Sequence, residues 1–181
     1  MVSIVVMSII TGRGDHGETD LLFGKRMAKS SLRAEALGCV DELNAALGLA
    51  RADSRDALLV ERIDAIQTRL FGLMGELACD AEDAGKYGEK AYARITRADV
   101  AWLEELARGI EAQGVRFTGW AVPGGEGSME RAALDFARTA ARRAERVVWR
   151  LDESGVAVPE EVRIFLNRLS DFLWILARRG G

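Results

Sequence analysis

At 181 residues, 49% apolar and 29% charged, the chain has the composition of a soluble globular protein long enough to bury one sizeable core. Its net charge of −3 gives no electrostatic reason to expect a nucleic-acid or membrane-surface partner. Residues 1–181 are therefore read as a single domain, with neither nucleic acid nor membrane among its partners.

Val2 to Ile10 is apolar but too short to span a bilayer, and it lacks the cationic start and small-residue cleavage site of a signal peptide. The expected location is the cytoplasm. Thr11-Gly-Arg-Gly-Asp-His-Gly-Glu-Thr-Asp20 follows, with glycines at 12, 14 and 17. Glycine reaches backbone conformations that other residues avoid, so such a segment can turn its N–H groups toward phosphate oxygens. It is not a Walker loop: the Gly-Lys-Ser/Thr ending is missing and no helix follows at once. His16 is the only histidine, with no cysteine beside it, so a transition-metal site is not expected. Residues 1–30 are read as an extended, glycine-containing arm.

Five helices are expected beyond the arm. The first runs from about Leu32 to Ala52. Ser54 caps a second that carries Leu58, Ile63, Ile66, Leu70, Leu73 and Leu77 at helical spacing. A glycine- and charge-rich loop covers Ala81 to Ile95. Thr96 with Asp99 forms a capping box for a third helix ending near Gln113. Pro123 opens a Pro-Gly-Gly-Glu-Gly loop, after which a fourth helix runs from about Ser128 to Glu153. The fifth starts at Pro159, has Glu160 and Glu161 in its first turn, and ends near Arg178. No βαβ alternation and no internal repeat is present, so the fold class is all-α, an up-and-down helical bundle. Cys39 and Cys79 are isolated, without CxxC spacing, and are expected to pack.

The fourth helix is the most informative. Residues 138–150 hold five arginines against one acid. Arg138, Arg142, Glu145 and Arg146 fall on one broad face, while Leu134, Ala137, Ala141, Ala144, Val148 and Leu151 fall on another. Guanidinium groups stacked a turn apart suit an oligoanion, because each planar fork holds two oxygens. The competing reading is a solvated face with i,i+4 pairing.

Three segments together carry a resemblance. Thr11 to Asp20 is followed by Lys29, eighteen residues after Thr11, and then by Glu35-Ala-Leu-Gly38-Cys-Val-Asp41-Glu42-Leu43, with Asp41 twelve beyond Lys29. Pro-Gly-Gly, then Arg142 to Arg146 (Arg-Arg-Ala-Glu-Arg) and Asn167 to Asp171 (Asn-Arg-Leu-Ser-Asp) complete the order. The chain resembles, from about residue 11 to 178, the trimeric helical-bundle family of ATP:cob(I)alamin adenosyltransferases.

The resemblance implies an ATP site built from Thr11, Gly12, Arg13, Gly14, Asp15, Gly17, Thr19, Asp20, Lys29, Arg142, Arg143, Glu145, Arg146 and Asn167, with Mg2+. It implies a corrinoid side with Asp41 and Arg138, which in the family bridge neighbouring subunits. Trp120 stands where the family has a phenylalanine that fills the lower face of the corrinoid. Gly12, Arg13 and Glu18 also depart from the family, which commonly has Lys, Thr and a small residue there. The implied assembly is a homotrimer with active sites between subunits. The implied reaction is attack of Co(I) of cobalamin or a related corrinoid on the 5′-carbon of ATP, expelling triphosphate. A reductase supplying Co(I) and an adenosylcobalamin-dependent enzyme are the implied partners. Two other readings remain at this point: a module that holds ATP or adenosylcobalamin for delivery or sensing, and a helical scaffold whose arginines make subunit contacts.

Overall fold

A computed structural model describes residues 10–114, 120–125 and 127–179. The apolar stretch before Ile10 lies outside them. Ser31 opens the first helix, Leu32–Asp53 (α1), by accepting the Ala34 N–H at 3.2 Å. Ala36, Val40, Leu43, Leu47 and Ala50 recur three to four residues apart on α1 and are buried. The second helix, Ala57–Ala78 (α2), is capped by Asp56, which accepts from Leu58 and Leu59, and not by Ser54. Ser54 instead ends α1, its N–H bonded to the Ala50 carbonyl, and its hydroxyl accepts the Asp56 N–H. The carboxylate, two residues nearer the helix, reaches two orphan N–H groups where the hydroxyl reaches none.

The expected loop from 81 to 95 contains a 3-10 turn at Ala81–Asp83 and a short helix, Ala84–Glu89 (α3). Tyr87 holds it: the buried ring sends its hydroxyl to the carbonyls of Ala93 at 2.7 Å and Gly72 at 3.3 Å. The capping box expected at Thr96 is present and opens Arg97–Glu111 (α4). Ser128 accepts the Arg131 N–H and opens Met129–Glu153 (α5). Pro159 precedes Glu160–Leu176 (α6), with two acids in its first turn as expected.

Ion pairs give the helix directions. Glu42 pairs with Arg143 and Glu35 with Arg150, so seven residues forward along α5 match seven backward along α1. α1 and α5 are antiparallel. Asn167 bonds Glu145 and Arg163 bonds Asp152, which makes α5 and α6 antiparallel too. Arg97–Glu161 and Arg168–Glu104 keep one offset, so α4 and α6 run parallel. The result is the up-and-down bundle expected of the sequence, around a core that includes Phe165, Phe172, Leu43, Leu70 and Leu134. No helix among the described residues is long and apolar enough to cross a membrane.

Outside the bundle, the arm is not simply extended. Glu18–Asp20 (β1) and Arg26–Ala28 (β2) form an antiparallel hairpin in which Thr19 faces Met27. Both cysteines are free: Cys39 is buried in the core, and burial pushes the partly buried Cys79 thiol up.

One partly buried acid makes stability depend on pH. Glu76, on α2, accepts the Ile95 N–H at 2.8 Å, and burial raises its carboxyl pKa despite that bond. The folded chain thus holds this proton more tightly than the unfolded chain. Its ionisation costs stability as pH rises through the folded value, and the cost vanishes below the unfolded value. Glu76→Gln keeps an acceptor for Ile95 and removes the partly buried charge. Melting curves from about pH 4 to 8, spanning the carboxyl and neutral ranges, should show the variant at least as stable as the parent at neutral pH, the difference closing toward acid. A variant less stable at neutral pH would contradict this.

Candidate active site

α5 carries the cationic face, and its own apolar face fixes the direction. Leu134, Ala137, Ala141, Ala144, Val148 and Leu151 are all buried, with Ala133, Ala140 and Val147 beside them. That seam turns Arg142 and Arg146 outward, where both are exposed. Among the described residues, no hydrogen bond or ion pair engages either of them. Arg143, next to them, is occupied by Glu42. Glu145 accepts from Asn167 Nδ2 at 3.1 Å, and Asn167 Oδ1 accepts from Arg168, whose Nε is bonded to Glu104. Glu145 therefore fixes the amide of Asn167, and both stand beside the two unpaired guanidinium groups.

Arg138, one turn before Arg142, donates to Asp135 at 3.0 Å. Asp135 is buried and also takes two N–H groups of Arg178, just past the end of α6, at 3.3 Å. This Arg–Asp–Arg cluster anchors the corner where α5 begins. Neither Asp135 nor Arg178 stood out in the sequence, although Asp135 lies one turn before Arg138.

The arm is organised around Gly14. Two successive turns, Asp15 N–H to Gly12 and Gly17 N–H to Gly14, run through positive φ at Gly12 (67°) and Gly17 (81°). The Lys29 N–H bonds Gly17, and a side chain at Gly14 would begin 2.8 Å from the Lys29 ammonium. The bare glycine lets Lys29 lie against the loop, with Thr11, Arg13, Asp15 and His16 exposed around it. Arg26 braces the hairpin, donating to Asp20 at 3.0 Å and to the Arg13 carbonyl at 2.9 Å. It pairs with Glu18 as well, so that acid is offset within the arm. The Arg26 hydrogen bond, with the charges of Arg13 and Arg26, holds the Asp20 carboxyl below its usual range against a smaller desolvation effect.

Within one chain these halves do not meet. The hairpin docks through Lys25 on Asp80, Glu82 and Asp83, and a 390 Å³ groove separates it from Leu151, Ser154 and Val156 at the far end of α5. Arg142 lies nine residues before Leu151, about 13 Å along the helix axis. Among the described residues, no hydrogen bond or ion pair joins Thr11–Asp20 or Lys29 to Arg138–Arg146. Asp41 and Arg138 are separated likewise: the α1–α5 register puts Asp41 level with Ala144, about 9 Å along the axis from Arg138. Asp41 is exposed. The same register places two exposed apolar side chains, Leu49 and Phe136, side by side on the outer face of the α1–α5 pair. Trp120 is fully exposed, just before the Val122–Gly125 turn at the start of α5, so it is not part of the chain's core.

A family model described as cobalamin adenosyltransferase matches residues 9–179. The chain belongs to the cobalamin adenosyltransferase family. A corrinoid adenosyltransferase of Citrobacter freundii is 36% identical over 94% of this chain and 93% of its own length. The corrinoid adenosyltransferase PduO of Salmonella typhimurium is 38% identical over 95% of this chain, which spans about half (49%) of that relative. Among solved structures, a phenylalanine-to-histidine variant of a PduO-type ATP:corrinoid adenosyltransferase from Lactobacillus reuteri, complexed with cobalamin and ATP, superimposes with a TM-score of 0.83. It is 32% identical and covers 94% of this chain and 89% of that one. Family membership agrees with the order of motifs, and the all-α architecture is the one these relatives share.

The Asp135 cluster tests how the corner of this adenosyltransferase fold is held. Asp135→Ala strands two partly buried guanidinium groups, and breaking a buried pair from one side costs about 3 kcal/mol or more. Urea denaturation should show that loss; a change below about 0.5 kcal/mol, typical of a surface site, would mean the cluster contributes little.

Proposed function

We propose that this chain transfers the 5′-deoxyadenosyl group of ATP to Co(I) of cobalamin or a related corrinoid, at sites formed between subunits of a homotrimer. The observation that carries the reading is the pair of unpaired, outward-facing guanidinium groups of Arg142 and Arg146, held beside the fixed Glu145–Asn167 pair. Two such forks match the charge and spacing of a triphosphate. The remaining donors of a triphosphate site, the turns of Thr11–Asp20 and Lys29, lie on the arm. They are too far from Arg142 in one chain, which favours the arm of one subunit meeting α5 of the next. Asp41 and Arg138 have the same separation, and the exposed Leu49–Phe136 pair gives a trimer apolar surface to bury.

The reaction asks little acid–base work of the protein. The cobalt electron pair forms the bond to C5′, the C5′–O bond breaks, and the electron pair leaves with triphosphate. Arg142, Arg146 and Lys29 stabilise charge on that leaving group, and Asn167 with the arm backbone orients the nucleotide. Mg2+ fits here as a counter-ion of the triphosphate. The arm offers it the exposed carboxylate of Asp15, a donor set that suits an ion keeping phosphate and water ligands. We assign Trp120 to the lower face of the corrinoid, beside Arg138 and Asp41, where its exposed ring excludes water and the displaced base from cobalt. The protein then works in the cytoplasm, between a reductase that supplies Co(I) and an enzyme that uses adenosylcobalamin.

The test is to mix protein, ATP, Mg2+ and chemically reduced cobalamin and follow the cobalamin spectrum. The parent should convert cob(I)alamin to the adenosylated form. Arg142→Ala should keep its fold and lose turnover by at least about thirtyfold, the low end of the 2–5 kcal/mol that truncating a desolvated charged partner costs. Nucleotide binding without turnover by the parent would make the chain a holding module, and unchanged ATP use by the variant would remove Arg142 from the site.

A further inference from the structure

The N-terminal hairpin cannot hold itself. Its ladder is three residue pairs long, and an isolated two-stranded hairpin is marginal in water even when longer. Its ordered geometry at Gly14 and Lys29 must therefore be maintained from elsewhere, and the contacts that do so are concentrated at the opposite end, the tip formed by residues 21–25.

Two sets of contacts, sharing Lys86, seat that tip on the segment 80–92. The first is ionic. Lys25 reaches Glu82 at 2.6 Å, Asp80 at 3.4 Å and the buried Asp83 at 3.9 Å, and Lys86 bonds Asp83 from the other side at 2.7 Å. The second is aromatic. The Phe23 ring lies 6.3 Å from that of Tyr92, with the Lys86 ammonium 5.9 Å over its face. Tyr92 packs edge-on against Tyr87 at 5.2 Å, and Tyr87 is bonded to α2 through Gly72. The backbone is bent to make this contact. Phe23 and Ala91 are the non-glycine residues with positive φ among the described residues, at 65° and 50°: Phe23 carries one ring of the pair, and Ala91 immediately precedes the other, Tyr92. A bulky residue stays in that conformation only where its surroundings over-determine it.

We propose that the segment 80–92 is a docking platform for the arm, with Phe23 and Lys25 as positioning residues for nucleotide binding although neither is placed to touch the nucleotide. The inference rests on the reading of the arm as half of the ATP site. The tip is clamped at one end of the hairpin and Ser31 fixes the other where α1 begins. The Gly14–Lys29 end is thereby held at one height on the bundle, from which it reaches the neighbouring α5. Releasing the tip leaves every phosphate donor in place but no longer pre-positioned, so ATP binding weakens while the chemical step, once ATP is bound, does not.

The experiment compares the parent with Phe23→Gly, which removes the ring and relieves the positive φ, with Lys25→Met, which keeps the stem and removes the charge, and with the double variant. Hydrogen exchange at the Leu21 and Lys29 amides, read without substrate, should quicken by about tenfold in the double variant, the size expected for one aromatic pair plus one ion pair. Exchange in α1, α5 and α6 should stay unchanged. The KM for ATP should rise about fivefold or more, with kcat and the corrinoid KM within about twofold, and Lys25→Arg should restore the parent's values. Unchanged hairpin exchange in the double variant overturns the proposal. So does faster exchange with an unchanged ATP KM, which would leave the platform a merely structural contact. Because exchange is read on the free protein, failure of the parent to adenosylate cobalamin would strike the enzymatic reading alone.

Discussion

The α1–α5 contact is the most extensive between any two helices of the described chain, and the buried face of α5 is rich in small side chains. Ala133, Ala137, Ala140, Ala141 and Ala144 are buried on α5, and Ala36, Val40, Leu43, Leu47 and Ala50 are buried on α1. Alanines bring the helix axes close and leave no tolerance for rotation. Turning α5 by a third of a turn would bury an arginine, and an unpaired buried guanidinium costs several kcal/mol. The apolar seam thus fixes the cationic face by exclusion. Glu42–Arg143 and Glu35–Arg150 mark the axial register that this packing sets, so Arg142 and Arg146 sit at a set height as well as a set direction.

The same register separates what the proposed chemistry must unite. It holds Asp41 a turn and a half from Arg138, while the arm docks far down the bundle from Arg142. On the proposed reading, rigidity in the single chain and a site shared between chains are two sides of one arrangement: a stiff helix presents the anion forks, and a hairpin from another copy presents lysine and backbone donors. Pre-positioned charges of this kind suit a reaction whose demand on the protein is to orient ATP and stabilise departing triphosphate.

Much of this was legible in the chain because the decisive signals were local. Ser128, the alanine–arginine period and Glu153 bounded α5, and the Thr96–Asp99 box marked the start of α4 to the residue. The cap of α2 was misjudged because Ser54 and Asp56 are both good caps, and only the three-dimensional course of the turn decides which oxygen meets the free N–H groups. α3 escaped notice because six residues with Gly85 and Gly88 have little helical preference of their own; a buried tyrosine bonded to α2 and to Ala93 holds them. The hairpin was hidden for the same reason. Its strands are short, and what stabilises them is Lys25 and Phe23 meeting residues some sixty positions away. Among the residues of the proposed site, spacing and resemblance single out Arg142, Arg146, Glu145, Asn167 and Lys29. They do not single out Asp135, Arg178 and Arg26, because an acid or an arginine that braces another charge looks like any surface residue until its partner is known.

The claim on which the account turns is that arm and arginine helix complete each other across subunits. It is tested by preparing Lys29→Ala and Arg142→Ala separately, dissociating and reassembling them together, and measuring adenosyl transfer. Each variant alone should be nearly inactive. In a random mixture about one site in four joins an intact arm to an intact helix, as heterologous contacts in a closed ring require, so activity should recover to about a quarter of the parent's. A mixture no more active than its components, despite proven subunit exchange, would place both residues in the same chain's site and contradict the account.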